Sequence, residues 1–215
     1  MGMHIGLIAV QGSVAQLIDA FQEVWPKLEI VTTKGDFGSE DELWAWKESN
    51  ERFVSAADWT KEDPGQEVYV VCQDNGWAVL MDFSFVLAAD ERALEQLSER
   101  FGSVVSFLVQ STSGCAFFWN YESGGLARSI QNVDGEITLN GMELPQEARI
   151  DVQNYYMNET EQLMQAFGLS KLEHLLVPST AVAIATADRT DYSKLSLDVD
   201  SDTSGVPAKP WWKFW

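Results

Sequence analysis

The chemistry this chain can do with nucleophiles and soft metal ligands is confined to a few residues. Its 215 residues include only 2 Cys and 2 His. One arrangement deserves testing: Cys115 as nucleophile, His174 as base and Glu173 as the group that orients it. Adjacent residues on a helix point about 100° apart, so this spacing opposes a brace of His174 by Glu173. Cys115 is followed by Phe117, Trp119 and Tyr121 in alternation. That pattern predicts a strand, which leaves the thiol without the helix N-terminus that would favour a thiolate. His4 and His174 stand far apart in sequence, with neither His-x-x-x-His nor Cys-x-x-Cys nearby. Asp198, Asp200 and Asp202 alternate as in a calcium loop, but Thr203 and Lys209 occupy the positions that need Gly and Glu. No catalytic residue, metal site or cofactor is therefore assigned. Arg128, in the run Gly124-Gly125-Leu126-Ala127-Arg128-Ser129, is read as the partner of a nearby carboxylate, with anion binding as the alternative.

Charge is the larger signal. The chain carries 33 Asp and Glu against 14 Lys and Arg, a formal net charge of -19. That balance repels nucleic acid and anionic membrane and attracts basic partners at long range. Hydrophobic residues make up 46% and aromatics 12%, enough for a core, so the acidity does not mark disorder. Carboxylates are expected on the surface. They are densest from Glu40 to Asp63, where eight acids meet three bases.

The elements that must position these residues read as follows. His4 to Val10 is a buried strand ended by Gly12. Ser13 and Gln16 form a capping box. Val14, Leu17, Ile18, Phe21 and Trp25 share one helical face, and Pro26 stops the helix. Leu28 to Thr32 completes a strand–helix–strand unit. Ser39 caps a helix running to Asn50, in which Trp44 and Trp46, two apart, take different sides. Asp74-Asn75-Gly76 predicts a hairpin between Val68–Cys72 and Trp77–Phe83. A helix over Asp90–Phe101 ends at Gly102. Two further hairpins follow: Val104–Gln110 with Cys115–Tyr121, and Leu126–Asn132 with Glu136–Leu139 around Asp134-Gly135. Helical patterns return at Thr160–Phe167 and Ser170–Leu176, while Thr180–Ala187 suits helix or strand.

The opening HIGLIAVQGSVAQL resembles the start of the glutaminase subunit of pyridoxal-phosphate synthase, a class I glutamine amidotransferase. The likeness covers about the first fifteen to twenty residues. It implies a Cys on a strained strand-to-helix turn and a His-x-Glu pair near the C-terminus. Ser113-Gly114-Cys115-Ala116 and Glu173-His174 echo these and depart from both.

The fold expected is α+β: a largely antiparallel sheet of hairpins, an N-terminal strand–helix–strand unit and several packed helices. Residues 1–187 read as one domain. Residues 188–215 read as an acidic linker and an aromatic tail, Trp211-Trp212-Lys213-Phe214-Trp215. No apolar run approaches the roughly 20 residues of a membrane span, and no secretory signal opens the chain, so a cytoplasmic location is expected. The function expected is non-catalytic: an acidic protein that binds or masks a basic protein, for example a bacterial immunity protein neutralising a toxin. Its contact residues would be Glu40, Asp41, Glu42, Trp44, Trp46, Glu143, Glu147, Asp151, Trp211, Trp212 and Trp215, with Glu159 and Glu161 nearby. The alternative is a small-ligand-binding protein, or a hydrolase or amidotransferase-like enzyme using Cys115 and His174. Nothing in these patterns specifies an oligomeric state.

Overall fold

The computed structural model of the chain describes residues 4–54, 60 and 64–190. Its element order is β1 (His4–Gln11), α1 (Val14–Val24), β2 (Leu28–Lys34), α2 (Glu40–Asn50), β3 (Gln66–Asp74), β4 (Trp77–Asp82), α3 (Glu91–Phe101), β5 (Ser103–Gln110), β6 (Cys115–Glu122), β7 (Gly125–Val133), β8 (Glu136–Gly141), α4 (Met157–Ala166), α5 (Leu172–Leu175) and β9 (Val182–Asp188). The nine strands form one sheet in the order β2-β9-β3-β4-β1-β5-β6-β7-β8. Every neighbouring pair is antiparallel. The α+β architecture read from the sequence is therefore the observed one.

Helices cover both faces. Leu17, Phe21 and Trp25 of α1 and its cap join Ala93, Leu94 and Leu97 of α3 over Ile8, Val10, Tyr69, Leu80, Val104 and Leu108. Phe37, Leu43 of α2, Leu163 and Met164 of α4 and Leu175 of α5 cover Leu7, Val70, Val79, Phe107 and Phe118. Two covered faces explain why β4 reads Trp77-Ala78-Val79-Leu80-Met81 without a polar break. Each large apolar side chain sealed this way contributes roughly 1.5–3 kcal/mol.

Local signals set the element ends. The α1 capping box forms as predicted: the Gln16 amide donates to Ser13 Oγ at 3.3 Å, and the Ser13 amide to Gln16 Oε1 at 2.9 Å. Asn75 and Gly76 (φ 47° and 89°) and Asp134 and Gly135 (52° and 89°) both turn through positive φ. That geometry matches the twist of the strands they join. The N-terminal strand–helix–strand unit exists in sequence order, but its strands separate: β1 lies at the centre of the sheet and β2 at one edge beside β9. The ambiguous segment before Asp188 is that strand, β9, inserted between β2 and β3.

Three acids depart from the surface placement expected of them: Asp82 is fully buried, and Asp74 and Glu147 nearly so. Each is satisfied by close donors, which is what makes burial tolerable. The Asp82 carboxylate accepts from the amides of Ser84, Leu87 and Ala88 and from the Ser84 hydroxyl, at 2.7–3.0 Å, and so folds the β4–α3 connection around itself. Gly6 makes room for that connection, since a Cβ there would meet Ala88 Cβ at 2.8 Å and Asp82 O at 2.9 Å.

Candidate functional site

The sheet face covered by α2, α4 and α5 carries most of the contact residues predicted from sequence, but in two places. α2 lies over β3 and β9, whereas α4 lies over β5 and β6 and Glu147 pairs with Arg128 of β7. Strands β4 and β1 run between the two groups. Glu40, Asp41 and Glu42 form the first turn of α2, where their charge complements the helix dipole. Glu40 and Asp41 are exposed. Glu42 accepts from Lys34 Nζ at 2.7 Å and from the Gly38 amide at 2.8 Å. The Lys34 hydrogen bond, with the Gly38 amide second, holds its carboxyl below the usual range.

Trp44 and Trp46 are both half-buried and take different sides of the fully buried Leu43. Trp44 meets Phe83 edge-on at 5.4 Å and donates its indole N–H to Glu40 at 2.9 Å. Trp46 meets Phe37 at 6.3 Å. Lys47 pairs with Glu51 and lies over the Phe83 ring.

Across the same layer, Glu143 and Asp151 are exposed, and Asp151 accepts from Asn154 at 2.8 Å. Glu159 and Glu161 are half-buried on α4. Glu147 is the correction. Its side chain is 1% exposed and paired with Arg128, so it holds the layer to the sheet and faces no solvent. Arg128 is equally occupied, donating to Glu147 and to the Gly141 carbonyl. The carboxylate-pairing role expected of it is observed, and its guanidinium has no free edge for an anion. Trp211, Trp212 and Trp215 lie outside the described residues.

Charge is unequal between the two helical layers. Residues 35–54 and 142–180, on the α2/α4 side, carry twelve acids against four Lys and Arg. Residues 12–27 and 83–102, on the α1/α3 side, carry six against three. The first layer therefore presents the stronger negative field.

The residues of the enzyme alternative do not converge. Cys115 opens β6 among the buried residues of the α1/α3 face. His174 sits on α5 on the opposite face, where its neighbour Leu175 accepts from the Cys72 thiol at 3.4 Å. The sheet lies between them. Glu173 does reach His174, at 3.3 Å, against the spacing argument, but both side chains are about 70% exposed. Cys115 begins a strand with no helix behind it, so the glutaminase-like turn is not formed. A shallow groove of about 650 Å³ runs between Pro145–Ile150 and α4, lined by Gln146, Arg149, Gln162 and Gln165. It holds neither a nucleophile nor a carboxylate pair. Among the described residues no group of three His, Cys, Asp or Glu side chains is placed to hold a metal ion, and no helix is long and apolar enough to cross a membrane.

Sequence reasoning missed Glu67. Its Oε2 accepts from Tyr69 Oη at 2.5 Å and from Ser84 Oγ at 3.2 Å, and Ser84 also donates to Asp82. Desolvation raises the carboxyls of both Glu67 and Asp82 above their ordinary range, although Glu67 stays exposed while Asp82 is sealed. The alternation Glu67–Tyr69 was visible in sequence, but the approach of Ser84 was not. No protein-family model, curated protein or solved structure matches the chain.

Proposed function

We propose that this protein acts in the cytoplasm by binding a basic protein partner through the acidic layer of α2 and the α4 connections, without catalysing a reaction. A toxin-neutralising immunity protein of a bacterium is the concrete form of this reading. The observation that carries it is the concentration of acids on one layer, eleven against four once the sealed Glu147 is set aside, beside two half-buried tryptophans on α2. Exposed charge of one sign accelerates encounter with an opposite partner, and aromatic side chains at its margin slow dissociation. Glu40 and Asp41 offer exposed carboxylates at the helix start, Glu40 with one oxygen held by the Trp44 indole, while Glu42 is already neutralised by Lys34.

The test begins with retention of host proteins on the immobilised chain at low and moderate salt, identified by mass spectrometry. A retained basic protein is then purified, and its association rate measured against ionic strength. The reading expects that rate to fall steeply with salt and to drop about tenfold or more in a Glu40→Lys/Asp41→Lys variant. Association indifferent to both salt and the reversal overturns it.

A further inference from the structure

We propose that β8 is a self-pairing edge through which two copies of this chain join into one continuous antiparallel sheet. The sheet has two edges, and they differ. β2 is guarded: its register with β9 breaks between Ile30 and Thr32, Glu29 is held by Arg189 at 2.6 Å, and Lys34 by Glu42 at 2.7 Å. Bulges and charged side chains are how an edge avoids pairing with another chain. β8 has no bulge and only Glu136 as a charge. Its six residues, Glu-Ile-Thr-Leu-Asn-Gly, run in unbroken register against β7, carry one charge and lack Pro and Lys. Leu139 is 38% exposed and Met142, just beyond it, 85% exposed.

The occupant is identified by the strand's own sequence. Ile137 and Leu139 pair with Asn132 and Ile130, so both lie on the α2/α4 face of the sheet. A two-fold axis perpendicular to the sheet keeps that face common to both copies. Residues opposite one another in an antiparallel pair point to the same face, so only registers matching odd with odd are allowed. The register centred on Thr138 places Ile137 opposite Leu139 of the second copy, Leu139 opposite its Ile137, and Thr138 opposite its Thr138. Glu136 then falls opposite a neutral Asn140. Two apolar pairs and a Thr–Thr pair are favourable cross-strand combinations, and no like charges meet. In a chain of net charge -19, a strand able to meet its own copy without facing acids together is suited to self-association.

The salt dependence separates this contact from the partner-binding layer. Two copies of like net charge repel at long range, so added salt strengthens the dimer, whereas it weakens capture of a basic partner.

The experiment is sedimentation equilibrium of the full chain over a concentration series at two salt concentrations, with three variants. The wild type is expected to dimerise, more tightly at higher salt. Thr138→Lys, which sets two cations opposite each other at the axis, is expected to weaken dimerisation about fivefold or more. Thr138→Cys is expected to form an intermolecular disulfide under mild oxidation, and Asn140→Cys, opposite Glu136, to form much less. Circular dichroism of each variant verifies that the fold persists. A wild type that stays monomeric, a dimer untouched by Thr138→Lys, or equal cross-linking at 138 and 140 overturns the proposal.

Discussion

Arg128 on β7 grips both carboxylate oxygens of Glu147, Nε to Oε1 at 2.9 Å and Nη2 to Oε2 at 2.7 Å, with the two side chains 5% and 1% exposed. The same Glu147 accepts the Leu144 amide at 3.1 Å, and Arg128 donates to the Gly141 carbonyl at 3.1 Å. One ion pair therefore pins residues 141–150 to the sheet. Arg128→Ala leaves a buried carboxylate without its cation and is expected to cost about 3–5 kcal/mol in urea unfolding. Arg128→Met/Glu147→Leu, which removes both charges, should recover most of that loss. A single variant as stable as wild type would show that the pair is not a structural anchor.

Stability is expected to depend on pH through Glu67 and Asp82. Burial is the first cause in both, and it favours the protonated form in the fold. A carboxyl raised in the fold is most favourable below its unfolded value, about 4, and its contribution is lost as pH rises through the raised value. Glu67 is itself exposed, unlike the sealed Asp82, which tempers the effect at that residue. Glu67→Gln preserves the acceptor for Tyr69 and Ser84 and removes the charge. Its thermal midpoint should therefore gain on wild type as pH increases from about 4 to 7. A difference between the two that is flat, or that slopes the other way, refutes the assignment.

Both thiols should be inert in the folded protein. Cys72 is fully buried, and burial with Asp74 nearby pushes its thiol up to about 12. Cys115 is 4% exposed. A thiol-reactive chromogenic disulfide at pH 8 is expected to label neither residue until denaturant is added, and both afterwards. Rapid labelling of Cys115 in the native state would reopen a nucleophilic role for it.

The β3–β4 turn docks the end of α4 through Asp74, whose two oxygens accept the Ser170 amide at 2.6 Å and the Ser170 hydroxyl at 2.7 Å. Trp77 adds an indole bond to the Phe167 carbonyl at 3.1 Å. Asp74→Ala is expected to cost about 1–3 kcal/mol. The urea midpoint should fall while the slope of the transition stays the same. An unchanged midpoint would mean that water replaces the carboxylate at no cost.

The contrast between Ser13 and β9 separates what was legible in the sequence from what was not. The Ser13–Gln16 box, the turns at Asn75-Gly76 and Asp134-Gly135, and the helix stop at Gly102 involve residues within four positions of one another. Short-range geometry alone dictates them, and they form as the sequence predicts. The order β2-β9-β3, the sealing of Asp82 by the amides of Leu87 and Ala88, and the burial of Glu147 needed the whole chain. Thr180–Ala187 lacks a periodic pattern because β9 is buried on both faces, Ala183 and Ala185 on one and Ile184 on the other, between two strands more than a hundred residues earlier in the chain. By itself the sequence determined the hairpins, the caps, the sign of the charge and the scarcity of nucleophiles. Tertiary structure decided which acids stay in water and which are sealed, and that Cys115 and His174 lie on opposite faces of the sheet. The reason is that burial and pairing depend on which distant strands become neighbours, which no local pattern encodes.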